Sequence, residues 1–64
     1  MVLNIEKVEL IMAKQKLSQR DMADYLGVGT STVSGYFKNP DRVRAKTIGR
    51  LSDALQVEIE AIID

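Results

Sequence analysis

Residues 18–39 read SQRDMADYLGVGTSTVSGYFKN, and the fold turns on how this stretch is parsed. From Gly27 onward it holds three glycines (Gly27, Gly29, Gly35) and four hydroxyl residues (Thr30, Ser31, Thr32, Ser34), interleaved with Val33, Tyr36 and Phe37. Propensity alone assigns that half to a strand or a loop. Spacing assigns it differently. Ser18 is a helix N-cap, and Asp21 supplies the acidic partner of a capping box ahead of an apolar face of Met22, Ala23 and Leu26. Ala23 and Gly27 lie four apart, Val28 follows the glycine, Val33 comes five later and Tyr36 three after that. Two short helices crossing at about 90–120° through a tight turn need this arrangement. Ala23 is small where the second helix comes close, Gly27 tolerates positive φ in the turn, and Val33 and Tyr36 face inward from the second helix. The stretch is therefore read as helix, turn and helix over about 18–38, with the second helix at about 30–38.

Working outward, Asn4 is an N-cap, and Ile5, Val8, Ile11 and Met12 recur at helical spacing up to Lys16. On the other side Pro40 cannot continue a helix and disfavours helical geometry at Asn39. A further helix is expected from about Ala45 to Leu55, with Ile48, Leu51 and Leu55 as its apolar stripe. The tail VEIEAIID alternates like a strand, but with no partner strand in view a short amphipathic helix is expected, with Val57, Ile59, Ile62 and Ile63 closing the bundle. Met22, Leu26, Val28, Val33, Ile48, Leu51 and Leu55 are the expected core. Two placements stand for Phe37: over the loop at Pro40, or as a contact for a second subunit. Leu10 and the Ile62–Ile63 pair likewise divide between a dimer face and local packing. The expected architecture is all-α, a compact bundle of about five short helices forming one domain over residues 1–64.

A chain of 64 residues buries only about 60% of the surface its unfolded form exposes, which leaves no room for a deep substrate cavity. Cysteine and histidine are both absent. No disulfide framework or thiolate metal site is available, and the commonest general base and metal ligand is missing. No signal peptide, transmembrane run or lipid anchor is evident, so a soluble cytoplasmic protein without cofactor or metal is expected, with no membrane partner and no evident small-molecule ligand. Nor is an enzyme expected. The GVG fragment lacks the Lys-Ser/Thr and the preceding strand of a phosphate-binding loop, and the Asp21–Asp24 pair lies on the exposed side of a capped helix.

Net charge is zero, yet its distribution is uneven. Lys38, Arg42, Arg44, Lys46 and Arg50 face only Asp41 between positions 38 and 50, whereas 51–64 carries Asp53, Glu58, Glu60 and Asp64 and no base. Phosphates feel this local field over about one Debye length, roughly 8–10 Å. Arg44 and Lys46 stand at the start of a helix, where the macrodipole penalises cations by about 0.3–1 kcal/mol each. An external anion docked at that end reverses the sign, because amides and side chains then converge on it. Arg50, a turn further along, is read as a partner for a surface acid such as Asp53.

With these residues in place, the chain resembles a known family. SQRDMADYLGVGTSTVSGYFKN, with a helix before it and DRVRAKTIGRLSDALQVEIEAII after it, resembles the helix-turn-helix domain of Cro and phage-repressor type (XRE-like) transcriptional regulators over about residues 5–63. MADYLGVGTSTVS and VRAKT are also similar to the headpiece of lac repressor-type regulators. The resemblance implies a lambda repressor-like fold and a sequence-specific duplex-DNA-binding regulator, a repressor or Cro-like protein that occupies operator DNA as a homodimer on palindromic half-sites. Carried over by position, it implies that Thr30, Ser31, Ser34 and Gly35 face bases, and that Gln19, Gly29, Lys38, Arg42, Arg44 and Lys46 face phosphates. None of the base-facing residues is a long Arg, Gln or Asn capable of bidentate contacts. Gly29 replaces the Ser or Thr usual at the cap of the recognition helix. The rival expectation is a helical protein-interaction module, antitoxin-like or an anti-regulator, that keeps the fold without binding DNA.

Overall fold

A computed structural model describes residues 1–64. Four α-helices follow one another: α1 (Ile5–Gln15), α2 (Gln19–Leu26), α3 (Thr30–Lys38) and α4 (Ala45–Leu55). Two 3-10 turns, Pro40–Arg42 and Ile59–Ala61, complete the chain, so the expected closing helix takes the form of a single 3-10 turn. The all-α class follows from the sequence as expected.

Local signals account for the starts of α1 and α2, whereas α3 and α4 begin at Gly29 and Arg44 with no side-chain cap. The Asn4 side chain accepts from the Lys7 amide at 3.1 Å, and the Ser18 hydroxyl accepts from the Asp21 amide at 3.1 Å. Asp21 answers by accepting from the Ser18 amide at 2.8 Å, which completes the capping box. Three of the four helix ends share one device, α3 being the exception with Asn39 at φ −131°. After α2, Gly27 turns left-handed at φ 71°, its amide donates to the Asp24 carbonyl and the Val28 amide to that of Ala23. The same pattern closes α1 through Lys16–Leu17 and α4 through Gln56–Val57, although Lys16 (φ 58°) and Gln56 (φ 59°) carry side chains. In each case the next residue, Leu17, Val28 or Val57, packs against the core.

That core joins every helix. Val8 and Met12 of α1, Met22, Ala23 and Leu26 of α2, Val33 of α3, and Ile48, Leu51 and Leu55 of α4 form one buried cluster with Leu3, Val43 and Ile62. Val28 is half-buried at its edge rather than inside it. The weak helix former α3 is thus held by tertiary contact: Val33 is fully buried and the helix packs on α2 and on the Pro40–Arg42 turn.

The tail departs from expectation in one respect. It forms no strand, yet its backbone meets the N-terminus: Leu3 pairs antiparallel with Ile63 in an isolated bridge. The Asn4 amide donates to the Ile62 carbonyl at 2.8 Å and the Asp64 amide to that of Val2 at 3.0 Å. Side chains add to this clasp, as Asn4 donates to the Asp64 carboxylate at 2.7 Å and the Lys7 ammonium to the Ile63 carbonyl at 2.8 Å. Ile62 is buried and Ile63 half-buried, so the pair is used in local packing; Leu10 instead stays 57% exposed.

Candidate functional site

An α-helix advances about 100° per residue, so burial of Val33 fixes the orientation of all of α3. Tyr36 and Phe37, both half-buried, flank Val33 on the inward face. Ser31, Gly35 and Lys38 lie on the opposite side, with Thr30 and Ser34 along one flank. Thr30, Ser31 and Lys38 are exposed, while Ser34 and Gly35 are half-buried. The residues expected to face bases therefore form one outward band of hydroxyls and bare backbone. Thr32 is exposed on the other flank. No motif marks it in the sequence, although the helical angle alone places it outside the core.

Gly35 carries particular information. A Cβ built there meets no heavy atom within 4 Å, so packing inside the protein does not call for glycine. Its helical backbone does not call for it either, since the one glycine with positive φ is Gly27. A glycine in a helix costs about 0.5–1 kcal/mol relative to alanine, and nothing within the chain offsets that at position 35. Gly29, the N-cap of α3, has an ordinary extended conformation (φ −77°, ψ 157°) and forms no side-chain cap. The end of α3 that leads this band thus keeps its first amides clear of any side-chain cap from that position.

The expected phosphate-facing residues form two groups. Gln19 opens α2 and is exposed; it lines a shallow cleft of about 260 Å³ together with Phe37 near the end of α3, and Lys38, the last residue of α3, is exposed. Phe37, expected over the loop at Pro40 or as a contact for a second subunit, is half-buried and lines this cleft together with Met12, Ala13 and Leu17. Arg42 closes the 3-10 turn after α3, and Arg44 is the N-cap of α4, both exposed. Arg44 forms no side-chain cap, and the first turn of α4 holds no acid while Lys46 sits within it. The cationic end that the sequence suggested is present, with its amide dipoles and two positive side chains at one helix terminus.

Arg50 corrects an expectation. Its guanidinium does not turn to Asp53; Nη2 donates at 2.6 Å to the carbonyl of Leu26, the last residue of α2. Asp21 is likewise accounted for by structure. Its carboxyl is held below the ordinary 3.8 by the hydrogen bond from the Ser18 amide, then by that from the Ser18 hydroxyl, with the nearby Arg20 charge acting in the same direction. No group of three or more Asp, Glu, His or Cys residues lies together as a metal site, and no helix is long and apolar enough to cross a membrane.

In comparison with protein families, a family model described as Helix-turn-helix matches residues 8–62, from the first turn of α1 to the buried Ile62. Comparisons with curated proteins and with solved structures found no match.

Proposed function

The chain belongs to the XRE-type helix-turn-helix family of DNA-binding regulators, and from that premise we propose that it is a repressor or Cro-like protein acting by occupation of operator DNA. The observation that carries the reading is the outward band of α3, where hydroxyls surround a glycine that the protein's own packing does not require. In this reading α3 enters the major groove and α2 crosses the backbone. Thr30, Ser31 and Ser34 face base edges, the Thr30 methyl packs against a thymine methyl, and Gly35 brings the helix close to the duplex. Phosphates are held by the Gln19 side chain, the Gly29 amide, Lys38, Arg42, and the end of α4 formed by Arg44 and Lys46. Since rotating hydroxyls discriminate less than bidentate pairs, bridging water and DNA shape supply much of the specificity.

Residues 1–64 act as one DNA-binding domain, and two copies bind half-sites about one helical turn apart, because one such domain reads too few bases for genomic specificity. Its place of action is the cytoplasm, on the chromosome. Neutral net charge and the small residues on the outward band of α3 are what favour the rival, an interaction module without DNA binding. Titration of generic duplex DNA at several salt concentrations separates the two. A DNA binder shows weak affinity with a steep salt slope, and a flat absence of response supports the rival. Selection of duplexes from a randomised pool then reports the site and its symmetry, and sedimentation with and without that duplex reports whether two copies assemble.

A further inference from the structure

Two helices in this fold end on a carbonyl taken by a side chain from a distant helix. The Leu55 carbonyl at the end of α4 accepts from Gln15 Nε2 of α1 at 2.6 Å, and the Leu26 carbonyl at the end of α2 accepts from Arg50 Nη2 of α4 at 2.6 Å. The second bond occupies a sensitive place. Its acceptor is the peptide immediately before Gly27, whose positive φ redirects the chain, and only Gly27, Val28 and Gly29 separate it from α3. The last turn of α2 has no basic residue of its own, so Arg50 supplies the positive charge that the negative end of the helix favours. The two bonds near this end from the Gly27 and Val28 amides go to Asp24 and Ala23, and they leave the Leu26 carbonyl to Arg50.

The consequence concerns the direction of α3. That helix packs on α2 and the Pro40–Arg42 turn, so its angle follows from where α2 ends and how Gly27 is held. Arg50 belongs to the same helix whose first turn carries Arg44 and Lys46. A single hydrogen bond therefore ties the middle of α4, one turn beyond its cationic end, to the last carbonyl of α2, three residues ahead of α3. We propose that Arg50 is a positioning residue for DNA recognition: through the Leu26 carbonyl it sets α3 relative to α4, and it does not neutralise a phosphate. This rests on the DNA-binding reading above. A phosphate contact and a positioning bond differ in one measurable respect, because only the former releases counterions when DNA binds.

The test compares Arg50→Met with Arg44→Met on two probes, a duplex selected by the protein from a randomised pool and a mixed-sequence duplex of equal length. Arg50→Met should lose about tenfold in affinity for the selected duplex, the size of one charge-assisted hydrogen bond, and little for the mixed one, with the salt slope of the wild type retained. Arg44→Met should weaken both duplexes alike and lower the slope by about one. In the free protein, amide exchange at Gly27 and Val28 should quicken in Arg50→Met and stay unchanged in Arg44→Met. Arg50→Lys keeps the charge and one donor and should recover part of the lost selectivity; it also carries the comparison if Arg50→Met fails to fold. A slope lowered by Arg50→Met as much as by Arg44→Met overturns the proposal, as does unchanged selectivity with unchanged exchange. Failure of the wild type to bind either duplex at any salt overturns the DNA-binding reading and this proposal with it, and is distinct from the other results.

Discussion

Replacing Gly35 with alanine separates the stability of the free protein from its fit to DNA. The added methyl meets no heavy atom within 4 Å and the residue is helical, so neither strain nor new burial accompanies the change. What remains is the backbone term, worth about 0.5–1 kcal/mol in favour of alanine in a helix. For a domain of this size that amounts to a rise in Tm of about 2–8 °C. On DNA the same methyl projects from the face opposite Val33. If α3 approaches the groove closely at that point, the cost resembles that of overpacking, about 1–3 kcal/mol, or about 5- to 150-fold in affinity. Gly49→Ala is the matched control, because that glycine also lies within a helix with nothing within 4 Å of a built Cβ, yet on α4. Thermal melting and competition binding on a selected duplex should show both variants stabilised and only Gly35→Ala impaired. A stabilised Gly35→Ala with full affinity refutes close approach at this residue. A destabilised one refutes the claim that the protein's interior leaves the position free.

Other perturbations address other parts of the molecule. Gln56→Gly should raise stability by about 1 kcal/mol, since Gln56 closes α4 at φ 59° where a side chain is penalised; urea denaturation gives the value, and a loss would mean that the glutamine side chain contributes more than its backbone strain removes. Arg44→Ala should weaken binding to all duplexes about equally, whereas Thr30→Ala should change the base preference recovered from a random pool; reversed outcomes would exchange the two assigned roles. The lowered Asp21 carboxyl adds stability that is fully present above about pH 4 and lost as pH falls through its folded value. Asp21→Asn should therefore be less stable at pH 7 and show a shallower acid limb, and urea midpoints from pH 6 to pH 2.5 that run parallel to the wild type would contradict the capping role.

Several features of this protein were legible in its linear order because the forces behind them act over a few residues. The Asn4 cap, the Ser18–Asp21 box, the left-handed Gly27 and the break at Pro40 are each settled by groups within three or four positions of one another. The stripe of Ile48, Leu51 and Leu55 likewise announces α4 with the bounds the structure gives it. Even the assignment of TSTVSGYFK to helix, where propensity alone favours a strand or a loop, follows from spacing, since Ala23, Gly27, Val33 and Tyr36 encode where one short helix must cross another. The outward band of α3 is a corollary, because a buried Val33 leaves only one direction for Ser31, Gly35 and Lys38.

Other features were decided only when distant segments met. Leu3 and Val43 lie outside the helices with no periodicity around them, and both are core because they join the one buried cluster that the helices form. The tail VEIEAIID meets its backbone partner, through the single Leu3–Ile63 bridge, at the far end of the chain, where no local pattern points. Lys16 and Gln56 adopt a backbone geometry that their residue types disfavour, since the packing of Leu17 and Val57 holds them there. Arg50 shows the limit most clearly. Charge and position along α4 suggested a neighbouring acid, whereas its reach across 24 positions to the Leu26 carbonyl depends on the crossing of α2 and α4. Periodicity, caps and breakers determine which residues become helix, because hydrogen bonds and side-chain spacing there are local; which helix ends are joined, and so how α3 is aimed, is set by contacts that exist only once the core has closed.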